Sequence, residues 1–136
     1  MEEFSLPSGD FWVSEFWSGK TFLLKQGDQH VFEGVPAHGC VVLAARVAGG
    51  EQSIYLGSDL HISQGVEVAE WKASDSGVET TLRLPRKAEG HVRVFVPRTL
   101  KVVEVNGHRV EPQTDDSGVL TIPVSIDGFA HLTIHD

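Results

Sequence analysis

The chain has 136 residues, 40% of them apolar and 22% charged. This suits one globular domain with its own core and excludes a disordered segment. Eleven basic against nineteen acidic residues leave a net charge of −8. Phosphate is therefore repelled, and neither nucleic acid nor an anionic membrane surface is an expected partner. A neutral carbohydrate would be indifferent to that charge.

The lead-in Met1-Glu2-Glu3-Phe4-Ser5 is acidic and lacks the apolar stretch of a signal peptide. No run approaches the ~20 apolar residues that cross a bilayer. The compartment stays unassigned, with the cytoplasm the simplest setting, and a domain cut from a longer protein would begin in the same way. From Pro7-Ser8-Gly9-Asp10 onward, turn residues recur along the whole chain, with Glu89-Gly90 and Asp127-Gly128 among the expected turns. The runs between them are roughly 5–9 residues long, the usual length of strands. No window carries a sustained helical stripe.

In Phe11–Phe16, Phe11, Val13 and Glu15 alternate with Trp12, Ser14 and Phe16. Val41–Val47 is apolar on both parities, which predicts a central strand covered on both faces. The single Cys40 beside it has no partner for an internal disulfide and reads as a small buried hydrophobe. Val78, Thr80, Leu82 and Leu84 share one face of a strand, and Val92, Val94 and Val96 one face of another. Leu100–Val110 reads as a hairpin, because Asn106-Gly107 accepts the two positive φ angles of a type I′ turn. Val119–Ile126 contains Pro123, which demotes it to an edge or bulged strand. A last strand sets Ala130, Leu132 and Ile134 against Phe129, His131, Thr133 and His135. About ten strands without a helix must bury their faces on one another. The expected fold is all-β, an antiparallel two-sheet β-sandwich spanning 1–136 as one domain.

Candidate chemistry centres on Tyr55–Gly65, where Ser58, Asp59 and His61 crowd together. A catalytic triad needs its members to converge, usually from separate elements, whereas neighbours on an extended chain diverge. The stretch therefore reads as a structural corner. Gly57 and Gly65 mark its bends, Asp59 caps local amides, Leu60 and Ile62 plug the core, and a buried His61 bonds to backbone. No catalytic residue is assigned. Glu2, Glu3, Glu67, Glu79 and Glu104 read as solvated. His131 and His135 sit four apart on a strand, about 13 Å at ~3.3 Å per residue, too far for one metal ion. Neither a metal nor a cofactor is expected. His30 and His38 could meet across a hairpin. Arg83-Leu84-Pro85-Arg86-Lys87 reads as a solvated turn. Trp12, Trp17, Trp71 and Tyr55 could stack on sugar rings, although aromatics are as much at home in a core.

Three segments resemble one family. Glu15-Phe16-Trp17-Ser18-Gly19-Lys20 is similar to the D-F-W-(S/T/N)-G-E strand that opens the C-terminal domain of melibiase-type α-galactosidases and their relatives. His38-Gly39-Cys40-Val41-Val42-Leu43 resembles the P-x-H-x-(C/S)-x-(V/L)-L strand that follows. Tyr55–Gly65, with Trp71 after it, is similar to the run Y-(I/L)-G-(S/T)-(D/N)-x-H-(I/L)-x-x-G-x-E-x-x-x-W. Lys20 departs from the pattern, as does the extra length around 27–34. The resemblance covers roughly residues 11–97. It implies a non-catalytic C-terminal β-sandwich whose partner is an upstream (β/α)8 catalytic barrel of the same chain, where such enzymes keep their carboxylates. Phe11, Trp12 and Trp17 are then the candidates for packing on that barrel. The alternative is a carbohydrate-binding module acting through exposed aromatics.

Overall fold

The computed structural model describes residues 5–97, 100 and 102–136. Glu2, Glu3 and Lys101 lie outside them. The described residues form ten strands and no helix. β1 (Phe11–Glu15), β2 (Thr21–Leu24) and β3 (Leu43–Val47) make a three-stranded antiparallel sheet in the order β2-β1-β3. β4 (Ile54–Ser58), β5 (Val68–Ser74), β6 (Gly77–Phe95), β7 (Val102–Val105), β8 (His108–Val110), β9 (Gln113–Thr114) and β10 (Val119–His135) make the second. Its order is β4-β6-β10-β7-β8, with β5 also on β6 and β9 also on β10. The fold is the expected antiparallel β-sandwich.

The long ribbon of β6 and β10 is its spine. The two strands pair from Val119 opposite Phe95 to His135 opposite Gly77, broken once by a bulge between Asp127 and Phe129. Asp127 pairs with Lys87 and Phe129 with Arg83, so β6 carries two extra residues at the bulge. An even insertion bends the ribbon but preserves side-chain parity. Leu120, Ile122, Val124 and Ile126 therefore point into the same core as Ala130, Leu132 and Ile134, and the two halves of the sheet share one apolar cluster. The sequence reading put turns at Glu89-Gly90, Arg83–Lys87 and Asp127-Gly128. They lie inside two continuous strands, because the neighbouring pairing carries the backbone through them.

The three-stranded sheet covers the opposite face of the ribbon's far half. Trp12 joins Leu56 and Val119 in a second cluster and packs on Phe95, ring centroids 5.0 Å apart. Val92 and Val94 thus face one core while Arg93 and Phe95 face the other sheet. The strand buried on both faces is this half of β6, where the sequence reading had put Val41–Val47. β3 pairs only with β1, and its Leu43, Ala45 and Val47 are exposed. Cys40, expected to be buried, is exposed in the loop before β3. Phe16–Ser18 is the turn after β1 rather than part of a strand, and His38–Val42 precedes β3.

The Asn106-Gly107 hairpin forms as expected, with φ of 52° and 79°. Pro123 lies in a strand that is central overall. It pairs with His91 on one edge, and the recorded pairings of β10 on its other edge skip it, stopping at Thr121 and resuming at Leu132.

Candidate functional site

The corner after β4 positions most of the polar chemistry. Leu60 plugs the core, but Ile62 is exposed. Asp59 does not cap its own loop. Its carboxylate accepts the His91 backbone N–H at 2.6 Å and lies 3.2 Å from His91 Nδ1, so it clamps the corner to β6. His61 is half-buried where burial was expected, and its Nδ1 accepts the Ser63 backbone N–H at 3.1 Å. Ser58 turns inward, away from both. The three residues diverge, and no nucleophile–base pair forms among them.

Beneath the corner lies a buried polar network. Glu67, read from sequence as solvated, is wholly buried. Its Oε1 accepts the hydroxyls of Tyr55 at 2.6 Å and Ser58 at 2.5 Å. The Ser58 hydroxyl in turn accepts the Leu60 N–H. Gln64 is equally buried: its amide donates to the Ser14 carbonyl, and its oxygen accepts from Ser14 Oγ at 2.8 Å and from Arg93. Gly57 has no side chain because Gln64 and Ser14 occupy the space a Cβ would need. Glu15, at the end of β1, accepts the backbone N–H groups of Trp17, Ser18 and Val42 and so fastens the turn after β1 to the chain leading into β3. Among the described residues, three buried polar atoms have no hydrogen-bond partner, and all three belong to residues around this seam: Arg46 Nε, Glu67 Oε2 and Arg93 Nε.

The electrostatics follow from this packing. Burial, with Glu67 alongside, pushes the Tyr55 phenol well above its ordinary value. Burial presses the Arg93 guanidinium below its usual range, against the pull of Asp59, Tyr55 and Glu15. Burial alone would raise the Glu15 carboxyl, but hydrogen bonds from Ser18, Trp17 and Val42 outweigh it and hold it low.

A shallow cleft of about 570 Å³ opens where the seam reaches the surface. It is lined by Arg46, Tyr55, Trp71, Val66 and the serines Ser53 and Ser63, among others. Tyr55 is buried and Trp71 half-buried, edge to face with centroids 5.9 Å apart. Of the four aromatics proposed for sugar stacking, these two meet. Trp12 is buried elsewhere, and Trp17 stands 63% exposed at the turn after β1. No flat array of all four exists. The Arg46 guanidinium donates to the Gln64 carbonyl at 2.6 Å.

The second surface is the outer face of the three-stranded sheet. Pairing puts Phe11, Leu24 and Val47 in one row and Val13, Phe22 and Ala45 in the next. Val47 is 72% exposed and Leu43 42%. Part of this face is covered by the loop before β3, where His30 stacks on Phe22 at 4.2 Å with Phe32 beside it. Val31 and Val35 in that loop are exposed.

His131 and His135 pair with acids rather than with each other: His131 with Glu79 at 3.2 Å and His135 with Glu104 at 3.4 Å. Among the described residues no group of three or more His, Cys, Asp or Glu could hold a metal ion. Arg86 donates to the Leu60 carbonyl, and Lys87 sits 3.8 Å from Asp127.

Sequence reasoning missed Glu67, Gln64, Arg46, Arg93 and Glu15. Glu67 and Glu15 each had a signal, since they stand at the acids of the G-x-E-x-x-x-W and D-F-W patterns, and Arg46 had a weaker one as a cation within an apolar run. No protein-family model matches the chain, and no curated protein matches it.

Proposed function

We propose that this chain is a non-catalytic C-terminal accessory domain of an α-galactosidase-like glycoside hydrolase, packing on and stabilising a (β/α)8 catalytic barrel. The observation that carries the reading is the outer face of the three-stranded sheet. Phe11, Phe22, Leu24, Leu43, Ala45 and Val47 lie on one side of it, and Val47 and Leu43 are left in water. Contiguous apolar surface of this kind marks interaction sites. Two of the three segments that resemble the family, residues 15–20 and 38–43, belong to this sheet or lead into it. Trp17 stands exposed at the turn after β1, at one end of the same sheet.

The test has two parts. The coding region upstream is expected to encode a barrel with two facing carboxylates. Val47→Lys is then expected to leave the isolated domain within about 0.5 kcal/mol of the parent, as exposed substitutions usually do. The same substitution should lower the melting temperature of the full-length enzyme. A reading frame without a barrel, or a full-length Val47→Lys enzyme as stable as the parent, overturns the reading.

A second reading, carbohydrate binding, is favoured by one observation: Tyr55 and Trp71 meet in the same cleft, beside the hydroxyls of Ser53 and Ser63. Indole and phenol faces take the C–H face of a sugar ring, and hydroxyls take its hydroxyls. Trp71→Phe should then weaken binding of an oligosaccharide followed by calorimetry. Silence across neutral and acidic oligosaccharides removes this reading.

A further inference from the structure

We infer that the cleft beside Trp71 selects an acidic sugar, a uronic acid or another carboxylate-bearing saccharide, through the guanidinium of Arg46. This rests on the carbohydrate-binding reading of the same cleft and deepens it. Among the described residues lining the cleft, Arg46 alone is charged. Among the described residues it makes no ion pair: the pairs found are Lys87–Asp127, His91–Asp59, His131–Glu79 and His135–Glu104. No arginine among the described residues makes an ion pair, and Arg46 differs from the others in lining a cleft whose walls hold no carboxylate.

The fold holds that guanidinium in place. Arg46 lies opposite Trp12 in the β1–β3 pairing, so its side chain leaves the sheet on the inner face, toward the corner. Nη2 donates to the Gln64 carbonyl, and Nε is buried without a partner. Gly65 makes room for the head group: a Cβ there would lie 2.7 Å from Nη2. The fork is thus set by backbone at one end of the cleft while the Trp71 indole forms part of the wall.

A sugar ring against the indole carries its substituents along the cleft. A carboxylate on the ring meets the fork in charge-assisted hydrogen bonds, and the guanidinium shape suits two parallel bonds to one carboxylate. The apolar Val66, exposed on the same wall, takes ring carbons. The net charge of −8 does not veto this. Charges farther off than a Debye length of ~8 Å are screened at physiological ionic strength, whereas the fork acts at contact.

The probes are a galacturonic acid trisaccharide and its neutral galactose counterpart, titrated into the intact chain by calorimetry and followed by tryptophan fluorescence. The acidic sugar is expected to bind at least about tenfold tighter, the weight of one charge-assisted hydrogen bond. Arg46→Gln should bring the two affinities together without abolishing binding of the neutral sugar. Gly65→Ala, which displaces the fork and leaves the arginine in the sequence, should reduce the preference as well. Circular dichroism and urea midpoints identify folded variants, and Arg46→Lys supplies a milder change should Arg46→Gln fail to fold. Equal affinity for the two sugars overturns the selectivity while leaving the carbohydrate reading intact. A preference that survives Arg46→Gln assigns the charge to another residue and overturns it too. No binding of either sugar removes both.

Discussion

Tyr55 is the only tyrosine in the chain, so phenolate absorbance reports on it alone. Its hydroxyl is buried and donates to the buried Glu67 carboxylate at 2.6 Å. Desolvation, then the neighbouring Glu67, hold the phenol protonated well above its ordinary value of about 10. The sign follows. Above about pH 10 the unfolded chain gives up this proton and the native state keeps it, so the unfolded state binds fewer protons and stability falls as pH rises. The slope is about 1.4 kcal/mol per pH unit for one proton. The contribution is whole below pH ~10 and is lost toward the native-state value. Tyr55→Phe, having no phenol, should show a shallower alkaline loss by that slope.

Glu67→Gln provides the second perturbation. It keeps the volume but replaces the carboxylate that takes the Tyr55 and Ser58 hydroxyls. Bonds to charged groups contribute roughly 1.5–3 kcal/mol and neutral ones roughly 0.5–1.5, so two weakened bonds cost about 1–3 kcal/mol at neutral pH. In the variant the phenol should titrate lower than in the parent. Urea unfolding followed by tryptophan fluorescence, repeated from pH 7 to pH 11, reads stability while absorbance reads the phenol. A tyrosine that ionises near its ordinary value while the parent stays folded refutes the reasoning, as does a Glu67→Gln variant as stable as the parent.

Two further outcomes follow from the same geometry. Glu15 is held below the ordinary carboxyl value by hydrogen bonds that exceed its desolvation. Its stabilisation is therefore present above the unfolded value of about 4.5 and lost as pH falls through the lower native value. Glu15→Gln should destabilise the parent at neutral pH and flatten the acid limb of its stability curve, measured by urea midpoints between pH 2 and pH 7. The exposed His135 imidazole is raised by the Asp136 carbonyl and by Glu104. NMR should find it titrating above the ordinary value of about 6.5, and Glu104→Gln should bring it part of the way back.

The apolar framework was legible in the sequence because strand parity is a local property. The faces Val78-Thr80-Leu82-Leu84, Val92-Val94-Val96 and Ala130-Leu132-Ile134 are the buried faces of the structure. The Asn106-Gly107 turn was readable for the same reason. Length was not. Gly90 and Asp127-Gly128 look like turns locally, and only pairing with the other strand shows that the ribbon runs through them. Val41–Val47 misled because an apolar run looks alike whether a sheet or water lies beyond it. The clue was Arg46, whose inward parity puts a cation where a doubly covered strand would carry an aliphatic. Glu67 was misread because a carboxylate between Val66 and Val68 looks like the polar parity of an exposed strand. Two hydroxyls from elsewhere in the chain make its burial tolerable, and their convergence is tertiary.

The polar seam links the two surfaces. Trp12, Leu56 and Val119 supply a small apolar plug between the sheets, and beside it the contact is made by Ser14, Gln64 and Arg93. An apolar contact alone tolerates sliding, since hydrophobic burial is not directional. Hydrogen bonds among buried groups do not, because a shifted register would leave donors unpaired at about 1–3 kcal/mol each. The seam therefore sets the angle at which the three-stranded sheet sits on the ribbon. That angle turns the row containing Val47 outward, where the proposed docking face lies, and brings Arg46 from the inner row to the mouth of the cleft beside Trp71. Loosening the seam at Gln64 should then disturb both surfaces together, whereas Val47→Lys and Arg46→Gln should each disturb one.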